Sequence, residues 1–256
     1  MTESVWVDEI RRPAWQQMAF DRAMVTVARE RGEAILRLYQ WERDSLSLGA
    51  NEAALRTWDR DRLERDEVPC VRRPTGGRGV WHASEDLTYA WAGPSGGPAG
   101  VRRTYRILHE RLSQAVAGLG TATTLAPAPA GPADLRPGAC FEMAVGGELI
   151  AGDRKVLGSA QKVFGDELIQ HGAFARSDRT AALGRYRTGE APVVTSAARS
   201  SQETGLPPAE ALRSAIRADW LDAGAVVAIA ELTLAVERAS VEHADRFRDP
   251  TWTWRR

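Results

Sequence analysis

The chain has 256 residues, 43% hydrophobic and 27% charged, enough to build a sizeable buried core. Its 34 basic and 34 acidic residues balance, so no global field recruits nucleic acid or an anionic membrane surface. Apolar runs such as "AGAVVAIA" (223–230) fall far short of a bilayer span, and the acids in "MTESVWVDEI" argue against a secretory signal, which predicts a cytoplasmic protein.

Pro13 followed by "AWQQMAFDRAMVTVARER" predicts a helix with proline in its first turn. Phe20, Ala23, Met24, Val27 and Ala28 fall at i, i+3, i+4, i+7 and i+8, one apolar face. "AILRLYQW" (34–41) and "SLSLGA" (45–50) alternate as strands do, and 51–67 reads as a polar-faced helix. "VPCVRRP", "GVWHA" and "DLTYAW" are predicted strands around a Gly pair, and "GPSGGPAG" (93–100) is a loop by composition. From Val101 a helix repeats apolar residues at Tyr105, Leu108, Leu112, Ala115 and Val116, with Gly118 or Gly120 to end it. An Ala/Pro-rich connection (121–139) has no periodicity, and a loop of that length is more often functional or disordered than decorative. Strands return from Cys140 to about Ala175. After the polar stretch 196–210 a last helical segment follows.

Two cysteines, Cys70 and Cys140, make no disulfide framework, and His82, His109, His171 and His243 are scattered, so no metal site is expected. Lysine is scarce: Lys155 and Lys162 stand alone among arginines. A chain that uses arginine everywhere else has reason to keep lysine where a compact ammonium is needed. Gly76 and Gly77, beside Arg72 and Arg73, let backbone approach a ligand that any Cβ would block. Arg73 can then fork onto an anionic group, and His82 can orient a polar atom.

"RKVLGSAQ" before "LIQHG", "RRPTGGRGVWH" upstream, "QQMAFD", "LRLYQW" with "SLSLGA", "LTY" and "CF" occur in order over roughly residues 13–175. Together they resemble the lipoate–protein ligase and octanoyltransferase family of the biotin/lipoate transferase superfamily, nearest to the cysteine-dependent octanoyltransferases of ligase-like sequence. The resemblance implies an α/β fold: a central mixed β-sheet flanked by helices, with a catalytic domain over 1–195. Residues 196–256 then form a C-terminal helical cap packed on the same domain. It assigns substrate binding to Arg73, Thr75, Gly76, Gly77 and His82 in the loop and to Gly158, Ser159 and Ala160 in the lysine motif.

It also implies catalysis by Cys140, which lies fifteen residues before Lys155, the spacing of nucleophile and lysine in those transferases. An ammonium about 4 Å from a thiol, at an effective dielectric near 20, stabilises thiolate by up to ~4 kcal/mol before screening, which poises the thiol for attack near neutral pH. The same ammonium can bind a developing oxyanion. The implied reaction moves an octanoyl (or lipoyl) group from an acyl carrier protein thioester, through a Cys140 acyl-enzyme, to a lysine of a lipoyl domain. Acceptors of this kind belong to 2-oxo-acid dehydrogenases and the glycine cleavage H protein. Thioester to amide is downhill, so neither nucleotide nor other cofactor is expected. Two alternatives stand beside this reading: an ATP-dependent ligase that forms lipoyl-adenylate, and a non-catalytic acyl-binding relative.

Outside these roles, Cys70 is expected to be buried, Lys162 solvated, and His171 a brace for the strand pair. Gly79, Ala90, Val163 and the pair Gly146–Gly147 depart from the family pattern, the last two affecting how the donor's phosphate arm or the acyl tail is held.

Overall fold

The computed structural model describes residues 2–127, 147–176, 180–189 and 205–255. The chain opens with β1 (Glu3–Val7), not foreseen above, and continues into α1 (Ala14–Arg31), β2 (Ala34–Tyr39) and β3 (Ser45–Leu48). Pro13 sits just ahead of α1 in extended conformation, and Gly32 closes the helix in the left-handed region at φ 63°. All five apolar positions of the predicted stripe are buried, as the 3.6-residue period requires.

The single helix expected over 51–67 is two: α2 (Ala54–Thr57) and α3 (Arg60–Arg65). Trp58 breaks out in extended conformation, and the Asp59 carboxylate caps α3 by accepting the Arg62 N–H. Next come β4 (Cys70–Arg72), β5 (Val80–His82), β6 (Leu87–Pro94) and α4 (Gly97–Ala117). The "GPSGGPAG" stretch is therefore no free loop. It ends β6 and, through left-handed Gly96 and a proline in the first turn, starts α4 four residues before Val101.

Beyond α4 lie β7 (Thr124–Leu125), β8 (Leu149–Ala151), β9 (Arg154–Phe164), β10 (Glu167–Phe174) and α5 (Thr180–Arg185). The C-terminal part adds α6 (Ala209–Asp222), β11 (Val226–Val227), α7 (Ala230–Arg248) and α8 (Pro250–Thr253). Among the described residues one sheet runs β11-β1-β2-β6-β10-β9-β8-β7, and a smaller one runs β4-β3-β5. β1 pairs in parallel with β2 and β11 and the remaining neighbours are antiparallel, so the sheet is mixed, as expected.

Strand periodicity sorts the large sheet into two cores. Leu36, Leu38, Tyr89 and Trp91 face α4 and α6, meeting Leu108, Leu112, Ile216 and Trp220. Ile35, Tyr39, Ala90 and Ala92 face α1 and α7, meeting Phe20, Met24, Leu232 and Val236. Each such aliphatic side chain contributes about 1.5–3 kcal/mol by leaving water. The strands crossing between these helical layers are thereby fixed, and β9, β10 and the small sheet frame the site. No described helix is long and apolar enough to cross a membrane.

Candidate functional site

The Arg pair organises backbone. Arg72 is fully buried and donates to the carbonyls of Gly49, Glu52, Trp252, Thr253 and Arg255. Arg73 donates from Nε and NH2 to the Gly76 carbonyl, from NH2 to that of Arg78, and from NH1 to the Ser47 carbonyl and hydroxyl. All five of its N–H groups thus hold the loop in place, where the sequence suggested a fork open to an anion. Gly77, at φ 91°, closes the turn, and a Cβ on Gly49 would stand 1.8 Å from the Gly77 carbonyl oxygen. These glycines let the loop lie backbone to backbone on the end of β3.

Thr75, fully buried, is hydrogen-bonded from Oγ1 to His171 Nε2 at 2.6 Å, and His171 Nδ1 donates to Asp21 Oδ2 at 2.8 Å. Asp21 also accepts from Arg37 NH1 and the Tyr39 hydroxyl, and burial raises the titration of Tyr39. His171 therefore ties α1 to the Gly loop through β10, a longer reach than the strand-pair brace expected of it. His82 Nε2 bonds Ser47 Oγ at 2.8 Å, its ring stacks on Trp41 at 4.1 Å, and its buried Nδ1 has no partner among the described residues. Burial first, then Arg73 and His171, lower its pKa, which keeps the ring neutral.

Arg73, Gly77, His82, Gly158, Ser159 and Ala160 converge on one cleft, partly open to solvent and completed by Met18, Trp41 and neighbouring side chains. Its walls are mostly apolar, suited to a hydrocarbon chain. Thr75, tied to His171, and Gly76, whose carbonyl accepts from Arg73, do not line it, and a Cβ on Gly76 would meet nothing within 4 Å, so the close approach expected there is not seen. Gly158–Ala160 reach it because β9 pairs with β10 in the register Gly158↔Ala173, Ser159↔Gly172, Ala160↔His171. Gly172 is required there: a Cβ would lie 2.3 Å from Ser159 Oγ and 2.7 Å from Tyr89 Cε1.

A chain of buried and half-buried hydrogen bonds leads away from that wall. Gln161 donates to Gln170 Oε1, Gln170 donates to the Tyr89 hydroxyl, and Tyr89 lies 2.8 Å from Ser159 Oγ. Ser159 Oγ lies 2.8 Å from His109 Nε2, and His109 Nδ1 donates to the Gly147 carbonyl at 2.5 Å. A carbonyl only accepts, so Nδ1 carries the proton of the neutral ring and Nε2 accepts from Ser159. Burial draws His109 down to about 4 and pushes Tyr89 up.

Lys155 does not line the cleft. Its Nζ lies 2.7 Å from Glu148 Oε1, with the two side chains only 3% and 4% exposed. A field already balanced by a carboxylate acts on a thiol less than the lone ammonium considered above. Cys140 lies outside the described residues, as does most of the 121–139 connection. Cys70 is half-buried rather than fully buried; burial pushes its thiol up to about 12, and Sγ donates to the Val68 carbonyl. Lys162 is exposed, as expected.

The lipoyl protein ligase A/B catalytic domain matches residues 13–203. The chain belongs to that family. Among its curated relatives, an octanoyltransferase LipM of Exiguobacterium sp. is 34% identical over 190 residues, 69% of this chain and 68% of the relative. The octanoyltransferase LipM of Symbiobacterium thermophilum is 36% identical over 180 residues, covering 67% and 65%, and that of Staphylococcus aureus 32% over 169 residues, covering 62% and 60%. The match thus spans about two thirds of these relatives' length. Lipoate-protein ligase A bound with ATP superposes with a TM-score of 0.78 at 18% identity, over 99% of both chains. A bi-partite lipoate protein ligase of Thermoplasma acidophilum, determined with its E2 lipoyl domain, gives 0.74 at 17% identity, over 99% of this chain and 96% of that one. At such identities these structures establish the fold, the α/β architecture that the motifs implied.

Sequence reasoning missed Glu148, Ser47, Asp21 and His109. Asp21 sits in the quoted "QQMAFD" and Glu148 in the "EL" before the lysine motif, so both were within view. Ser47 lies in the quoted "SLSLGA" as well, whereas His109 carried no local signal, because its partners come from other elements.

Proposed function

We propose that this chain transfers an octanoyl group from an acyl carrier protein thioester to a lysine of a lipoyl domain, with Cys140 as the transient acyl carrier. Membership of the family and the octanoyltransferase relatives support this reading. The observation that carries it is the apolar cleft walled by Gly77, His82 and Gly158–Ala160, with buried Lys155 on the same strand three residues before Gly158. In this reading the cleft takes the acyl chain, and the Gly-rich backbone lies against the thioester carbonyl. Cys140 thiolate attacks that carbonyl and expels the carrier thiolate, and the lipoyl lysine amine then displaces Cys140 as the amide forms. Lys155, on the strand that walls the cleft, adds to the field that favours the negative charge developing in both steps.

The test is intact mass after incubation with octanoyl-acyl carrier protein without ATP, followed by addition of a lipoyl domain. A thioester adduct absent from Cys140→Ser, and passed to the lipoyl domain, is expected. Octanoyl-adenylate formed from free acid, ATP and magnesium, with no adduct from the thioester, would assign the protein to the ligases instead.

A further inference from the structure

A neutral His82 can carry its proton on either ring nitrogen, and its contacts decide which. Ser45 pairs with His82 across the small sheet, so Ser47, two residues on, is its diagonal neighbour on the same face. The Ser47 hydroxyl is buried and has two partners among the described residues, Arg73 NH1 at 3.2 Å and His82 Nε2 at 2.8 Å. A guanidinium only donates, so Ser47 Oγ accepts from Arg73, and the one acceptor for its own proton is His82 Nε2. The ring proton is then on Nδ1. That nitrogen is buried and has no partner among the described residues, on a ring that lines the cleft. The ring is also held in plane: it stacks on Trp41 at 4.1 Å, and Trp41 is pinned by donating from Nε1 to Thr88 Oγ1 at 3.0 Å.

We propose that Ser47 is a positioning residue that holds His82 in the Nδ1–H tautomer, so that this N–H donates to the carbonyl oxygen of the acyl group in the cleft. The assignment of the acceptor rests on the acyl-transfer reading above. An unpaired buried N–H is costly, and a ligand acceptor satisfies it. The apolar walls suit the acyl chain, and a neutral donor suits a thioester carbonyl better than a carboxylate or phosphate, which calls for a charged partner. The donors run one way, from Arg73 to Ser47 to His82 to the carbonyl, and each polarises the next. Arg73, whose N–H groups are occupied with the loop, thus acts on the carbonyl without touching it. His82 is here a donor and not a base, because its lone pair is on Nε2 and faces Ser47. Its bond to the carbonyl oxygen strengthens as that oxygen gains charge during attack.

Two measurements test this. The tautomer is read from the ring nitrogen-15 shifts of labelled protein at neutral pH, with His82 assigned by through-bond correlation. Wild type should show a protonated Nδ1 and Ser47→Thr the same, whereas Ser47→Ala should shift the proton toward Nε2, the form a histidine side chain otherwise favours. Binding is then measured in the Cys140→Ala background, where that thiol cannot react. The ligands are octanoyl-pantetheine and S-octyl-pantetheine, which keeps the chain and the sulfur but lacks the carbonyl. Adding Ser47→Ala should cost thioester affinity about fivefold and His82→Phe about tenfold, with thioether affinity unchanged. Ser47→Thr should stay near its parent. Wild-type His82 protonated on Nε2 overturns the proposal whether or not any variant folds. Thioester and thioether affinities that fall alike in folded variants, or thioester affinity that does not fall, overturn it as well. Octanoyl transfer from acyl carrier protein to a lipoyl domain is scored separately with wild type. Its absence refutes the proposed function, whereas transfer with His82 protonated on Nε2 refutes only this role of Ser47.

Discussion

Thr75 and His171 stand 96 residues apart in sequence and 2.6 Å apart in space, so the Gly loop is anchored to the central sheet by one hydroxyl. Thr75→Val keeps the shape and removes that bond, leaving a buried ring nitrogen short of a partner. Stability should fall by about 1–3 kcal/mol, and kcat/KM for acyl transfer by roughly tenfold or more as the cleft wall drifts. Thr75→Ser should restore both. Denaturant midpoints and steady-state kinetics on the three proteins check this, and a Thr75→Val enzyme with unchanged kinetics would show that the anchor is dispensable.

Removing Lys155 should remove more than the charge proposed for catalysis. Lys155→Met leaves the Glu148 carboxylate buried without its ammonium, which should destabilise the fold by about 3–5 kcal/mol. Adding Glu148→Gln should recover much of that stability without restoring transfer. Thermal unfolding of both single variants and the double variant measures the coupling; additive losses would mean that the pair is not an energetic unit.

His109 makes the fold acid-sensitive. Burial draws it down to about 4, whereas the unfolded chain takes up the proton near the ordinary value of 6.5. Between these values the unfolded state binds more protons, so this contribution is present above about pH 6.5 and is lost as pH falls toward 4. The loss from this one ring is about 3 kcal/mol. His109→Gln should flatten stability over that window, measured by urea unfolding at several pH values, and an unaltered slope would assign the acid sensitivity to other groups such as His82.

Gly172→Ala tests the close approach of β9 and β10. Its methyl would overlap Ser159 Oγ and the Gly158 carbonyl oxygen, which lie 2.3 and 2.7 Å from the Cβ position. The strands must part or the Ser159–His109 bond must break, costing about 1–3 kcal/mol. The Gly172→Ala, Ser159→Ala double variant should lose less than the sum of the two single changes, read from denaturant midpoints.

Local periodicity carried much of the fold. The α1 stripe from Phe20 to Ala28 and the alternation in β2 each reflect burial on one or two faces, which a single segment encodes. Breaks and starts were harder. Trp58 interrupts the 51–67 helix through an isolated bridge to Arg187, and β1 depends on partners at Ala34–Leu38 and Val226–Val227. Gly79, where the family more often has alanine, is explained by Trp58, whose ring lies 2.3 Å from the Cβ position. In the cleft, the glycines and His82 were readable because a motif groups them. The orientation of Arg73 was not, since all but one of the acceptors named above are backbone carbonyls, which no sequence advertises. The Lys155–Glu148 pair was hidden for a related reason: its two residues meet across a hairpin whose register shifts.

β1 lies between β2 and β11, and α1 packs against α7, so the opening of the chain is completed by residues some two hundred positions later. On the ribosome this leaves α1 with an uncovered apolar flank, and β1 with an unpaired edge, while the rest of the chain is made. At about 5–20 residues per second, that exposure lasts on the order of ten seconds or more. Such a nascent chain is a natural client for chaperones, and its native structure should lock in only after Phe247 has left the exit tunnel. Stalled chains ending before β11 should accordingly be digested by protease through α1, and chains extended past Thr253 and clear of the tunnel should resist.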